Sequence, residues 1–319
     1  MILLERTRPN KLAMLEALLL RLYPDDPDFT YFKESYYRQV AGYEGENRVD
    51  REWFDMLNLG PHYLLFNYEY ENELGNPHQI DTLLLTTKFI LIVDAKNVSG
   101  QVDIDEYKHQ MLVTKPDGSL KSYSNPIDQV KRHSQHLNSL LNQFKIPLPI
   151  AMAVVFSNPA TIIGNVPKNF AIFHASGLRF YVYNLLSNYP ETLSEKQLKK
   201  LSSLILSKLK RKEVRPTISL SRIRRGVLCE ICDFKVQMIY KTGNWQCPKC
   251  GVRNKNAIRR ALNDYRLLIS DRITNKEFRE FFDVESIDAA SKLLIRLNLK
   301  AFGEKRGRYY IIPENIYSK

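Results

Sequence analysis

The stretch Gln79-Ile80-Asp81-Thr82, followed by an apolar run that closes on Val93-Asp94-Ala95-Lys96-Asn97, decides how this chain reads. Two carboxylates and a lysine sit inside segments of strand character. Charges in such a setting are costly unless they are paired, metal-bound or solvated. Asp94 and Lys96 are two residues apart, so on a strand they project from one face. A neighbouring strand carrying Asp81 completes an acid-acid-lysine cluster, the set that metal-dependent phosphodiester cleavage needs.

Outward from that stretch, residues 63–70, 80–86 and 89–95 are rich in β-branched and aromatic side chains and predict consecutive strands. Residues 101–104 and 110–114 predict shorter strands around a polar turn. Asn125-Pro126 opens a helix over 125–144. An apolar strand follows at 150–156, another at 171–174, and a helix from about Arg179. Upstream, residues 10–23 read as an amphipathic helix ended by Pro24 and Pro27. A second helix covers 29–41, punctuated by Gly42 and Gly45, and residues 46–59 have near-helical apolar spacing. The expectation is an N-terminal helical extension (1–35) followed by a layered α/β domain (36–210), its mixed sheet flanked by helices.

Charge is unevenly spread. Residues 1–185 carry 18 Lys+Arg against 21 Asp+Glu, a net of −3, whereas residues 186–319 carry 29 against 14, a net of +15. A basic region beside a near-neutral one points to a polyanion-binding appendage. Its start is a basic linker over 211–226, part of a run from Lys208 to Arg225 with eight Lys/Arg residues. No apolar run approaches the ~20 residues of a membrane span. The first residues, Met1-Ile2-Leu3-Leu4-Glu5-Arg6, lack the order of a secretory signal. The expectation is a cytoplasmic protein with no membrane partner.

All four cysteines fall in one segment, as Cys229-x2-Cys232 and Cys247-x2-Cys250 separated by fourteen residues. Two such knuckles supply four thiolates to one tetrahedral zinc, and a zinc ribbon is expected over 227–254. With four thiolate ligands no position stays open for substrate, so the zinc is structural. Disulfides are the competing reading, and an intracellular chain argues against them.

After the ribbon, residues 256–269, 275–282 and 286–298 are helical in pattern. Thr274 with Glu277 makes a capping box, and Ser286 is a second cap. Two strands, 299–302 and 309–312, then flank a basic turn. Three helices and a basic hairpin over 255–319 resemble a winged-helix domain, a family in which the third helix enters a major groove and the wing touches phosphates. That resemblance implies that Ser291, Lys292 and Arg296 face nucleic acid, with Lys305, Arg306 and Arg308 on the wing.

The central motif also has a family likeness. Asp81, twelve intervening residues, then Asp94-x-Lys96 resembles the PD-(D/E)xK nuclease signature. Three blocks in order are similar to the nuclease-related domain family, called NERD: Gly42-Tyr43-Glu44-Gly45-Glu46; Ile80-Asp81 through Lys96-Asn97-Val98-Ser99-Gly100; and Asn125-Pro126-Ile127-Asp128-Gln129. The likeness spans about residues 36–185. It implies a restriction-endonuclease-like core, Mg²⁺ or Mn²⁺ as catalytic cofactor, and nucleic acid, DNA in the first place, as substrate. Carried over, Asp81 and Asp94 are the metal ligands, Lys96 the catalytic lysine, Glu46 a helical acid near the metal, and Gln129 a helical residue reaching the site. Asp94 stands where the family more often has glutamate. The alternative is a catalytically inactive DNA-binding regulator or repair accessory protein on the same scaffold.

Overall fold

The computed structural model describes residues 1–72, 74–211, 214–241 and 243–316, with the side chain of Arg306 excepted. Lys212 of the basic linker and the Arg306 side chain of the wing therefore lie outside the described residues. The chain forms two compact units: Met1–Arg8 with Val40–Lys212, and Pro9–Gln39 with Glu213–Lys319. The chain opens with strand β1 (Ile2–Leu4) and helices α1 (Asn10–Arg21) and α2 (Phe29–Phe54).

Two separate helices were expected on either side of Gly42 and Gly45, but α2 runs unbroken through both. Glycine weakens a helix without forbidding it. At Gly45 it also answers a steric need. A Cβ there would stand 2.5 Å from Asn97 Cβ and 2.7 Å from Ser157 Oγ. Glycine thus lets the helix backbone close onto the end of the sheet, and Glu46 arrives at the sheet with it. Asn97 Nδ2 holds the contact by donating to the Ala41 carbonyl at 2.6 Å.

The first unit continues with β2 (His62–Glu71), β3 (Pro77–Thr86), β4 (Ile90–Lys96), β5 (Gly100–Asp105), β6 (Gln110–Thr114), β7 (Leu120–Ser124), α3 (Pro126–Gln143), β8 (Ile150–Phe156), β9 (Thr161–Ile163), β10 (Ala171–His174), α4 (Leu178–Asn188) and α5 (Glu195–Ser207). Its main sheet has the order β1-β2-β3-β4-β8-β10, and a second sheet has the order β7-β6-β5-β9. In the main sheet β2-β3-β4 is antiparallel, whereas β4-β8-β10 is parallel. Parallel strands are covered on both faces, which explains the almost unbroken apolar run of β8. Residues of α3 and α5, such as Val130, Leu137, Leu198 and Ile205, pack with one face of the sheet. Val49 and Trp53 of α2 and Val182 of α4 pack with the other. The result is the expected mixed α/β arrangement, a sheet between helices. Asn125 caps α3 by accepting from Ile127 N at 2.9 Å, with Pro126 in the first turn, as its sequence predicts.

The second unit adds β11 (Val227–Leu228), β12 (Gln237–Lys241), β13 (Asn244–Gln246) and β14 (Arg253–Asn254), then α6 (Ala257–Leu268), β15 (Arg272–Thr274), α7 (Asn275–Phe282), α8 (Ile287–Arg296), β16 (Lys300–Phe302) and β17 (Tyr309–Ile311). The first four strands form one antiparallel sheet around the cysteines; the last three form another in the order β15-β17-β16. The capping box of Thr274 and Glu277 starts α7, and Ser286 caps α8. One apolar core joins α1, the ribbon and α6–α8, through residues such as Leu18, Trp245, Leu262, Phe278 and Leu294. Inside it Arg21 and Asp264 form a buried ion pair at 2.8 Å, and Arg21 also donates to the carbonyls of Arg224 and Gly226. Those extra acceptors satisfy guanidinium donors that burial would otherwise leave unpaired. Among the described residues no helix is long and apolar enough to cross a membrane.

Candidate active site and cysteine cluster

The site lies where β3 and β4 part. Their ladder runs from Leu85↔Ile90 to Thr82↔Val93 and stops there. Beyond it β4 stays with β8 as far as Lys96↔Phe156, while β3 stays with β2 as far as Pro77↔Glu71. Asp81 and Asp94 are the first residues past the split. The Ala95 N–H, freed of a backbone partner on β3, donates instead to Asp81 Oδ2 at 2.9 Å.

A local kink aims Asp81. Leu65 and Phe66 face opposite cores, but Tyr68 and Tyr70 both return to the core of Leu65. Side-chain alternation therefore slips at Asn67, which takes a left-handed φ of 50°. On β3, Ile80 joins the same core as Leu83, so alternation slips opposite, at Asp81. Asparagine enters the left-handed region more readily than most residues.

On β4 the alternation is regular. Ile90 and Ile92 face the α3 side, and Asp94 and Lys96 continue that face. Lys96 Nζ lies 3.0 Å from Asp94 Oδ1 and 2.8 Å from Oδ2, and donates to Gln129 Oε1 at 3.2 Å. Its approach favours Oδ1. Oδ2 is buried and, although close to the ammonium, has no hydrogen bond of acceptable geometry. Burial pushes the Asp94 carboxyl up to about 6, with Asp81 adding repulsion and Lys96 opposing both. Burial also works against a charged Lys96, but Asp94, Asp81 and Glu46 outweigh it and raise the ammonium above its ordinary value. Lys96 is a held cation here, not a base.

Glu46 and a residue the sequence did not single out, Arg6, complete the cluster. The Arg6 guanidinium bonds Glu46, Asp50 and the Asn67 amide oxygen, and donates to the Asp81 carbonyl at 2.8 Å. Its side chain is buried. Even so, desolvation together with Asp81, Asp50 and Asp94 leaves Glu46 raised to about 8. The group holds more acid than its two cations neutralise.

This excess supplies the test of fit for a divalent ion. Hard oxygen donors, a buried carboxylate oxygen without a well-aligned hydrogen bond and uncompensated negative charge suit Mg²⁺ or Mn²⁺. The arrangement is open. The carboxylates of Glu46, Asp81 and Asp94 do not gather within 4.8 Å of one another; among the described residues only the four cysteines do so. Asp81, Asp94, Lys96 and Gln129 are thus brought together, while Glu46 stands beside them in the grip of Arg6.

A stability measurement follows from Glu46. Between the ordinary carboxylate range and about 8 the folded chain holds a proton that the unfolded chain has released. Stability falls with rising pH wherever the native state binds more protons. The sign is therefore opposite to that of a salt-bridged acid. Without added divalent ions, the melting temperature of unit 1 is expected to fall between about pH 6.5 and pH 8, above the range in which the depressed His133 acts the other way, and Glu46→Gln to flatten that slope. Scanning calorimetry across the range checks it; a wild-type melting temperature that rises through the window refutes it.

The second cluster belongs to the ribbon. Cys229, Cys232, Cys247 and Cys250 place their sulfurs within 4.8 Å of one another. Cys229–Cys250 and Cys232–Cys247 sulfurs are 3.6 and 3.8 Å apart. Tetrahedral coordination with metal–sulfur bonds of about 2.3 Å sets sulfurs about 3.8 Å apart, whereas a disulfide needs about 2.05 Å. The Cys250 and Lys249 backbone N–H groups pull the Cys247 thiol down to about 6, whereas burial and the neighbouring thiols push Cys232 up to about 12 and Cys229 upward. The geometry is compatible with a zinc ribbon.

Lys292 and Arg296 are exposed on α8, with Arg296 donating to the Gly243 carbonyl at 3.3 Å. Ser291 accepts from Asn275 Nδ2 at 2.9 Å. Lys305 and Arg308 are exposed between β16 and β17.

A mixed sheet with an Asp-Asp-Lys group at its parting strands, and a four-cysteine cluster compatible with a zinc ribbon, define the class: a mixed α/β protein. Residues 41–157 match the family described as nuclease-related domain (NERD), and this segment contains Glu46, Asp81, Asp94, Lys96 and Gln129. No curated protein and no solved structure matches the chain. Arg6 lies outside the matched segment, so the cation that holds Glu46 comes from elsewhere in the chain.

Proposed function

We propose that the first unit hydrolyses phosphodiester bonds, with DNA as substrate and a divalent cation as cofactor, and that the second unit binds nucleic acid. The observation that carries this reading is the buried Asp94 paired with the half-buried Lys96, one Asp94 oxygen lacking a well-aligned hydrogen bond, beside Asp81 where two strands part. Asp81 and Asp94 would hold Mg²⁺ or Mn²⁺, joined by the Ala95 carbonyl. When bound, the ion supplies Lewis acidity and a nucleophilic water at neutral pH. The Ala95 N–H orients Asp81, Asp94 keeps Lys96 charged, and Gln129 fixes the ammonium's direction. Lys96 stabilises the charge that develops on the phosphoryl group. Zinc in the ribbon is structural, and 255–319 acts as a winged helix through Lys292, Arg296, Lys305 and Arg308. Location is intracellular.

One observation favours the second reading, an inactive DNA-binding regulator or repair accessory protein: the three acids are not gathered, and Arg6 engages Glu46. Cleavage of plasmid and single-stranded DNA with Mg²⁺ or Mn²⁺ separates the two. Lys96→Met is expected to lower the rate by about 100–1000-fold. Wild type that cuts neither DNA nor RNA, or a Lys96→Met variant as fast as wild type, transfers the case to the second reading.

A further inference from the structure

The three-stranded sheet of the second unit has two unlike faces. Ile273 and Tyr310 turn into the core, as does Ile312 just beyond β17. The other face follows from the register: Lys300, Ile311 and Arg272 form one row, and Phe302, Tyr309 and Thr274 the next. On it the rings of Phe302 and Tyr309 lie 5.6 Å apart and nearly parallel, at 14°. Lys300 Nζ sits 5.0 Å from the Phe302 centroid, and the Arg272 guanidinium 5.3 Å from that of Tyr309. Phe302, Lys300 and Arg272 are exposed, and Tyr309 is half-buried. The loop from Gly303 to Arg308 adds Lys305, Arg306 and Arg308 against one acid, Glu304.

A cross-strand aromatic pair alone would serve the hairpin. Here Phe302 is exposed and Tyr309 half-buried, each ring carries a cation, and the loop beside them is strongly basic. Planar aromatic surface flanked by cations is what an unpaired nucleobase and its phosphates recognise: the base stacks on a ring while Lys and Arg neutralise the backbone. A duplex keeps its base faces stacked on one another and cannot use such a surface.

We propose that this face is a stacking platform for single-stranded nucleic acid, with Phe302 and Tyr309 receiving bases and Arg272, Lys300, Lys305 and Arg308 receiving phosphates. The proposal rests on the nucleic-acid reading of the second unit and deepens it by naming strandedness. It differs from a helix laid in a major groove, because α8 takes no part in the stacking.

The test is fluorescence anisotropy with the full chain carrying Asp81→Asn, so that bound strands stay intact. The probes are an oligothymidylate of about 12 nucleotides, an abasic strand of equal length, and a duplex of equal length. The thymidylate is expected to bind at least about thirtyfold more tightly than the abasic strand, from two stacked bases, and more tightly than the duplex. The double variant Phe302→Ala/Tyr309→Ala is expected to bring thymidylate down to the abasic level and leave abasic binding unchanged. Tryptophan at both positions retains the preference. Equal binding of base-bearing and abasic strands by the Asp81→Asn chain overturns the platform, even where the alanine variant fails to fold. So does tighter binding of the duplex, or equal losses for both single strands in the alanine variant. Binding of none of the three probes overturns the nucleic-acid reading of the unit as well.

Discussion

Asp81→Asn is expected to lower metal-dependent cleavage by about 100–1000-fold and to leave the fold in place. The two halves of that expectation come from different properties of one carboxylate, its acceptor oxygen and its charge. Asp81 Oδ2 accepts the Ala95 N–H at the point where the β3–β4 ladder ends. An asparagine keeps a carbonyl oxygen there, so the backbone donor stays satisfied. What disappears is a negative charge, and with it the donor strength a hard divalent ion requires. The remaining acids gain: Asp81 contributes to the upward push on both Glu46 and Asp94, and its neutralisation relaxes both. Lys96 and Arg6 lose the attraction of the same charge, so the two effects oppose and the melting temperature is expected to hold at neutral pH. Asp81→Ala makes the contrast. It removes the charge and the acceptor together, and an unsatisfied N–H costs about 1–3 kcal/mol. Calorimetry beside a cleavage assay separates the pair. An Asp81→Asn protein that cleaves like wild type removes Asp81 from the chemistry.

Asp81, Asp94 and Lys96 were legible because the strand period and the price of burial act on neighbours in sequence. Apolar flanks announced strands, and three charges inside them demanded partners. Gln129 followed from the likeness of the Asn125-Pro126-Ile127-Asp128-Gln129 block, and its contact with Lys96 is present. Arg6 was not legible. It sits in a short run with Thr7 and Arg8 that reads as surface, and it reaches the site because β1 adds in parallel to β2, some sixty residues away. No local pattern encodes that pairing. Asp50 was hidden for the same reason, its partner being Arg6. Asn67 did leave a signal, a lone amide in an aromatic strand, which suits a left-handed kink. Gly45 was misread by applying a local rule, that glycine ends helices, where close packing against Asn97 and Ser157 decides. The strands β7, β9 and β15 escaped because they are short, and β7 is exposed throughout, so neither face carries an apolar alternation.

Loss of metal from the ribbon is expected to have the largest effect on stability. The sulfur spacing of 3.6 and 3.8 Å suits one tetrahedral ion, and Cys229 and Cys247 are themselves buried members of the core that includes Trp245 and Met238. Structural zinc binding in small ribbons and fingers is worth about 10–16 kcal/mol near neutral pH, comparable with the ~5–15 kcal/mol that keeps a domain folded. Without the ion, up to four thiolates crowd within 4.8 Å, an arrangement only a cation or protons can hold. Cys247→Ser, or exhaustive chelation, is therefore expected to open the ribbon and expose Trp245, which is 1 % accessible in the folded chain. The chain has two tryptophans, so Trp53→Phe leaves Trp245 as the sole indole reporter. Its emission should shift to the red on chelation and return on adding Zn²⁺, with one zinc per chain by elemental analysis. Four thiols should titrate in denaturant without reductant. Metal-free protein with an unshifted spectrum would show that the ribbon stays closed without the ion, and a chain whose cysteines titrate only after reduction would show that disulfides close it.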